Sequence, residues 1–250
     1  MTGWEIAAVF LAGVAAGTIN AVVGSGTLVT FPTLVAFGVP PITATVSNTV
    51  GLAPGAISGA WGYRRELAGQ RARLIRLGSA SVIGAVGGVA LLLGLPSTAF
   101  ETIVPILVSI GCILVIIGPW LSRRVAHRRS PHQHGGTVTW LLVGLAGVYG
   151  GYFAAAQGVI LTGILGITLN ESLQRINAAK NVLTSLVNTV AAICFIVVAH
   201  VSWPHTALIA VGSVLGGQLG AHVGRRLPSV VLRGVIVVIG VIAVIMLLRR

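Results

Sequence analysis

GVAAGTINAVVGSGTLVTFPTLVAFGV, from Gly13 to Val39, decides how this chain is built. The stretch is apolar, yet Gly24-Ser25-Gly26, Pro32 and Gly38, with Pro40 and Pro41 just beyond it, leave no room for a second regular span of about 20 residues. Backbone broken at membrane depth survives only where it is buried in protein or lines a cavity. The reading is therefore a long first helix, Trp4 to Val23, followed by a short or re-entrant helix that starts after Gly26. A second copy lies further on: GVYGGYFAAAQGVILTGILGITL, Gly147 to Leu169. Gly13, Gly17 and Gly24 match Gly147, Gly151 and Gly158 at a constant offset of 134.

Working outward, each copy leads into a helix with polar residues near its start. In the first half this helix runs from Pro41 to Trp61, carries Thr45, Ser47, Asn48 and Thr49, and contains Pro54. In the second it is ESLQRINAAKNVLTSLVNTVAAICFIVVAH, Glu171 to His200, with Asn170 as the expected N-cap. Two plain spans then close each half: Leu77–Leu95 and Ile103–Leu121, then Trp203–Val223 and Val230–Leu248. The fold class is all-α, a polytopic membrane protein of about 8 transmembrane helices plus two short broken segments, built from two internal repeats. The first repeat covers 1–122, a basic cytoplasmic linker 123–137, and the second repeat 138–250. If both broken segments cross the bilayer, each half has five passes and the halves are inverted. If both are re-entrant, each half has four passes and the halves are parallel. The arginine distribution does not separate the two cases, and both put the large basic loops in the cytoplasm.

Composition sets the bounds. With 55% hydrophobic residues and 8% charged, against about a quarter charged in soluble domains, the lipid bilayer is the partner of most of this surface. The net charge of +12 does not point to nucleic acid, because the arginines cluster in short loops between apolar spans. Cys112 and Cys194 each sit inside an apolar run and read as small buried residues rather than a disulfide or a metal pair. His127, His132 and His134 share one short polar loop without residues to orient them as metal ligands, so no metal site is expected. His200, His205 and His222 lie near span ends. There is no Asp, and no nucleophile–base set within the spans, so an enzyme is not expected, and no cofactor either.

The chemistry concentrates on the Glu171–His200 helix. Asn177, Lys180, Asn181, Thr184 and Asn188 are spaced to fall on one helical stripe. Lys180 is the only lysine, about nine residues or roughly 14 Å into the helix. A charge at that depth costs at least ~2.5–3.5 kcal/mol unless it faces a cavity or partner. The chain offers only Glu5, Glu66, Glu101 and Glu171 as acids. A buried cation among amides and hydroxyls points to a small anionic substrate, with a salt bridge to Glu171 or Glu66 as the structural alternative. The helix starts after Gly24-Ser25-Gly26 and after Gln157-Gly158 would add backbone N–H groups and positive dipole ends, and Gly26 would let the backbone approach the anion. Asn20, Ser25, Thr27, Thr45, Ser47, Asn48 and Gln157 are candidates to complete the cavity. Such small polar residues also serve simply to bond neighbouring helices. Arg175 reads as an interfacial anchor.

The pieces GxxNAxxGSGTxxxFPxL at Gly17–Leu34, AxxSN at Ala44–Asn48, GxxxGYxxAAQG at Gly147–Gly158 and RxNAxKNxxxxxxN at Arg175–Asn188 resemble the TauE/SafE family of sulfite exporters and sulfonate permeases. The likeness covers nearly the whole chain. It implies transport of a small sulfur-containing anion, such as sulfite or an organosulfonate, across a prokaryotic cytoplasmic (inner) membrane, in many members as efflux. Alternatives are an uptake permease or a channel for another anion, or a non-catalytic subunit of a larger complex. A homodimer and a coupling ion, proton or sodium, are compatible with it. One departure from symmetry stands out: Ala156-Gln157-Gly158 replaces the glycine-serine-glycine, so the two half-sites should differ chemically.

Overall fold

A computed structural model describes residues 1–125, 136–223 and 229–248. His127, His132, His134, Arg225, Arg226, Arg249 and Arg250 lie outside the described residues. Ten α-helices are described: α1 Gly3–Val22, α2 Thr27–Ala36, α3 Pro41–Gly62, α4 Arg71–Gly94, α5 Ser97–Val125, α6 Thr137–Tyr152, α7 Gln157–Thr168, α8 Leu173–Val198, α9 Trp203–Val223 and α10 Ser229–Leu248. A single 3-10 turn, Arg64–Leu67, links α3 to α4. The protein is an all-α polytopic membrane protein. Among the described residues, α1, α4, α8 and the Ser97–Gly118 part of α5 are long and apolar enough to cross a membrane by themselves.

The two shortest α-helices are α2 and α7, at the duplicated breaks. Gly24 has φ +88° and Gly38 has φ +82°, left-handed conformations that glycine adopts without strain. The second half makes the same break with alanine. Ala154 and Ala156 have φ 61° and 59°, costing roughly 1–2 kcal/mol each in the left-handed region. Three boundaries differ from expectation. Helix α4 starts two turns before Leu77 and α5 before Ile103, because hydropathy marks only the lipid-exposed core of a helix that continues into the polar interface. Ser172, not Asn170, caps α8, accepting from the Arg175 amide at 3.5 Å.

The direction of each element follows from its neighbours. Helix α2 starts where the Gly26 amide donates to Asn20 Oδ1 near the end of α1. It ends where Phe37 stacks edge-on against Trp4, 5.0 Å between centroids, at the start of α1. The chain has therefore returned to its starting end. In the second half, α6 runs parallel to α4, with Gly147 beside Ser81 and Gly151 beside Ala85. The start of α8 joins the start of α4 through Arg73–Glu171, so α7 returns in the same way. The chain thus runs back along the bundle through α2 and through α7, and because α6 follows α4 while α1 follows α9, the halves are inverted. Trp4 and Trp203 are exposed at one end of the bundle and Trp61 at the other, the arrangement of interfacial aromatic belts.

The halves exchange helices. Helix α1 lies along α9, and α6 along α4; α3 also packs on α9, and α8 on α4. A Cβ on Gly17 would run into the Ser213 backbone and one on Gly151 into that of Ala85, so these glycines serve close packing. The resulting groups, α1–α3 with α9–α10 and α4–α8, cross the repeat boundary. They face each other mainly through α3 against α8 and α5 against α10.

Candidate functional site

The two groups touch where the breaks meet. Gly158 donates its amide to the Gly24 carbonyl, 2.9 Å, and each glycine occupies the space where the other would carry a Cβ. The repeat aligned these two residues; the fold sets them against each other. Around the crossing, polar groups are buried without partners. They are Ser25 Oγ and both amide atoms of Gln157, whose residues are 0% and 1% exposed; Thr45 Oγ1 on α3 and Thr184 Oγ1 on α8 are likewise buried without partners. An unmade hydrogen bond on a buried group costs about 1–3 kcal/mol, so each is a standing demand for a partner. The Gln157 amide packs against Gly150, where no side chain would fit.

On the first-half side, Asn48 Nδ2 donates to Thr27 Oγ1 at 3.3 Å, and the Thr30 hydroxyl donates to Asn48 Oδ1. Thr30 is a participant that the sequence reading passed over, although it lies one turn beyond Thr27 in an apolar run. Asn20 Oδ1 takes the Gly26 amide at 2.7 Å. The donors expected to be free at the α2 and α7 starts are thus engaged, Gly26 by Asn20 and Gly158 by Gly24. Gly26 packs against the Ala16 carbonyl and Asn20, so a side chain there would displace α1 itself. Ser47 turns away from this cluster. Its hydroxyl accepts from the Ser202 amide, 2.8 Å, and its carbonyl from Thr206, joining α3 to α9. Adjacent helical residues point about 100° apart, which separates Ser47 from Asn48.

The α8 stripe meets the end of α1. Lys180 is fully buried, and its Nζ donates to the Asn20 carbonyl at 2.9 Å and the Ala21 carbonyl at 3.3 Å. Asn177 and Asn181 donate to the same Ala21 oxygen at 3.2 and 3.1 Å. The last carbonyls of a helix lack intrahelical donors and carry its negative dipole end. A cation with two amides satisfies both needs without a carboxylate. Thr184 and Asn188 continue the buried stripe one and two turns further along α8. Sequence reasoning missed the role of the Asn20 and Ala21 carbonyls, since main-chain acceptors leave no trace in residue type.

The expected acidic alternative for Lys180 is otherwise occupied. Glu171 binds Arg73 at 2.9 Å and Arg175 at 2.6 Å. Burial pushes the Glu171 carboxyl up, but the hydrogen bonds and charges of Arg175 and Arg73 outweigh it and hold the carboxyl below its usual range. Arg175 also donates to the Ala68 carbonyl, 3.0 Å, and Gln70 Nε2 to the Arg175 carbonyl, 3.3 Å. Arg175 is therefore a staple between the α3–α4 link and α8, not an anchor reaching towards lipid. Just inside it, Tyr63, Ala21, Ala178 and Ala221 form a buried apolar plug.

A bundle of inverted halves with broken helices crossing in its interior is the architecture of a membrane transporter, and the comparisons agree. The family model described as "Sulfite exporter TauE/SafE" matches residues 9–247. The chain belongs to the TauE/SafE family. Similar proteins include the "Probable membrane transporter protein YfcA" of Escherichia coli strain K12, 24% identical, covering 93% of this chain and 86% of that one. A "Probable membrane transporter protein" of Haemophilus influenzae is 24% identical over 93% of this chain and 90% of its own. The "Probable membrane transporter protein YdhB" of Bacillus subtilis is 25% identical over 97% and 98%. No solved structure matches. This TauE/SafE member is a multi-pass membrane transporter and not an enzyme.

Proposed function

We propose that the protein exports a small sulfur-containing anion, sulfite or an organosulfonate, across the cytoplasmic membrane of a prokaryote by alternating access. The observation that carries this reading is the Ala21 carbonyl. That oxygen has two lone pairs and receives three donors, from Asn177, Lys180 and Asn181. The donors outnumber what the carbonyl can accept, and an oxyanion offers more acceptor sites and a full charge. In this reading the end of α1 is a tethered stand-in for the substrate. When α1 and α8 part, an anion takes the donors. It then passes the Gly24–Gly158 crossing, where Ser25, Thr27, Thr45, Asn48, Gln157, Thr184 and Asn188 supply hydrogen bonds.

The basic end, with Arg64, Arg65, Arg71, Arg73, Arg76 and Arg175, faces the cytoplasm by the positive-inside rule. The Tyr63 plug and the Glu171 staple then lie on the cytoplasmic side of Lys180 and close that approach. Sulfite flux from proteoliposomes, wild type against Lys180→Met, tests the proposal, with sulfoacetate, sulfate and thiosulfate as competitors. Flux that requires Lys180 supports it. Folded wild-type protein that moves no sulfur oxyanion overturns the substrate assignment.

A further inference from the structure

At the basic end, the end of α3, the 3-10 turn after it and the last turn of α9 line a partly open pocket of about 200 Å³, formed by Gly62, Arg64, Arg65, Ala221 and His222. Among the described residues no carboxylate lines it. Its floor is made by small residues, since a Cβ on Gly62 would run into the Ala221 Cβ. At ~30 Å³ per liquid water the volume takes about six or seven waters, or a phosphate with part of its ester.

Arg64 and His222 are held rather than loose. Arg64 Nη1 donates to the Trp61 carbonyl, 3.3 Å, and its guanidinium lies over the Trp61 ring, 5.2 Å from the centroid. His222 donates Nδ1–H to the Gln218 carbonyl at 2.9 Å, which leaves Nε2 as its ring atom for a ligand. Beside the pocket, under the Arg64 guanidinium, the outer face of α3 is apolar and exposed. Trp61 is 65% exposed and Ile57, one turn before it, 52%. In a membrane protein that face meets acyl chains, while the arginines stand at headgroup level.

We propose that this pocket binds the phosphate of an anionic phospholipid, with Arg64, Arg65 and His222 on the phosphate and Ile57 and Trp61 along the chains. Basic pockets between membrane helices take anionic headgroups in this way. The exposed apolar face of Ile57 and Trp61 next to the pocket argues for a lipid over a soluble phosphate, which would make no use of it. The site is separate from Lys180 and does not rest on the substrate reading.

The test is native mass spectrometry of the full chain, counting adducts of phosphatidylglycerol against phosphatidylcholine. Phosphatidylglycerol is expected to be retained over phosphatidylcholine. Arg64→Gln and Arg65→Gln should each weaken retention roughly fivefold, the equivalent of about 1 kcal/mol per basic group. Both arginines are exposed, so the variants should elute as wild type. Arg71→Gln, a change of an exposed cation at the same end but outside the pocket, should have no effect. Equal retention of the two lipids overturns the proposal. So does an Arg71→Gln loss as large as that of Arg64→Gln, which would mean diffuse surface charge. Displacement of the lipid by millimolar inorganic phosphate would assign the pocket to a soluble anion and overturn it as well.

Discussion

Replacing Lys180 with methionine separates a cation kept for transport from one kept for structure. The change preserves length and removes the charge. It deletes donors to the Asn20 carbonyl at 2.9 Å and the Ala21 carbonyl at 3.3 Å. The Ala21 oxygen keeps Asn177 and Asn181. The Asn20 oxygen is left short of a donor, at about 1–3 kcal/mol. Against this, a fully buried ammonium no longer has to be desolvated, a penalty of several kcal/mol. The two effects offset, so stability should stay within roughly 2 kcal/mol of wild type. A cation essential to the fold would instead cost about 3–5 kcal/mol on removal. That corresponds to a fall of roughly 6–20 °C in Tm for a chain of this size. Transport should drop by roughly 10- to 150-fold, the worth of one hydrogen bond to a charged group. The assay is sulfite efflux from proteoliposomes, normalised to monodisperse protein, beside a thermal melt. Wild-type flux in Lys180→Met would refute the anion route through the α8 stripe. Collapse of the melt would make Lys180 a structural cap and nothing more.

Other predictions follow from single contacts. Gly38→Ala adds only left-handed strain, because nothing lies within 4 Å of its Cβ, and should cost about 1–2 kcal/mol; Gly24→Ala adds overlap with Gly158 and should prevent a stable bundle, and equal melts for the two would discredit the crossing. Gln157→Met removes a buried amide with no partner, so the melt should hold or rise by up to about 3 kcal/mol while transport falls; unchanged transport would take Gln157 out of the route. Glu171→Gln should destabilise by about 1–3 kcal/mol at neutral pH. The folded carboxyl titrates below its unfolded value, so its contribution is present above the ordinary carboxylate range and is lost as the pH falls through the lowered value. Melts of wild type and Glu171→Gln should therefore converge as the pH falls from neutral through and below the ordinary carboxylate range, and a constant gap would deny the ion pairs their role.

Much of this was legible in residue type. Glycine and proline at Gly24, Gly38 and Pro40 marked where helices must stop, and the duplicated glycines marked the repeat. The Asn177–Asn188 spacing marked a polar face with a buried cation. What that face touches was not legible, because the answer is the main chain of α1, and carbonyls are present at every residue. Ser47 and Asn48 are neighbours in sequence yet serve α9 and α2, a separation that only the packing of α3 reveals. Arg175 reads as an interfacial anchor until the Ala68 carbonyl is seen beside it.

The exchange of helices between halves also sets a clock for biogenesis. Thr18 on α1 bonds the Gly216 carbonyl on α9, 198 residues later in the chain. At about 5–20 residues per second, a ribosome needs roughly 10–40 s to bring the second partner out after the first. Throughout that interval α1 waits in the membrane with its glycine face unmatched, so no stable half-protein precedes the whole one. A nascent chain arrested before α9 should be a substrate for membrane chaperones and proteases, while one that has passed Val223 should resist them.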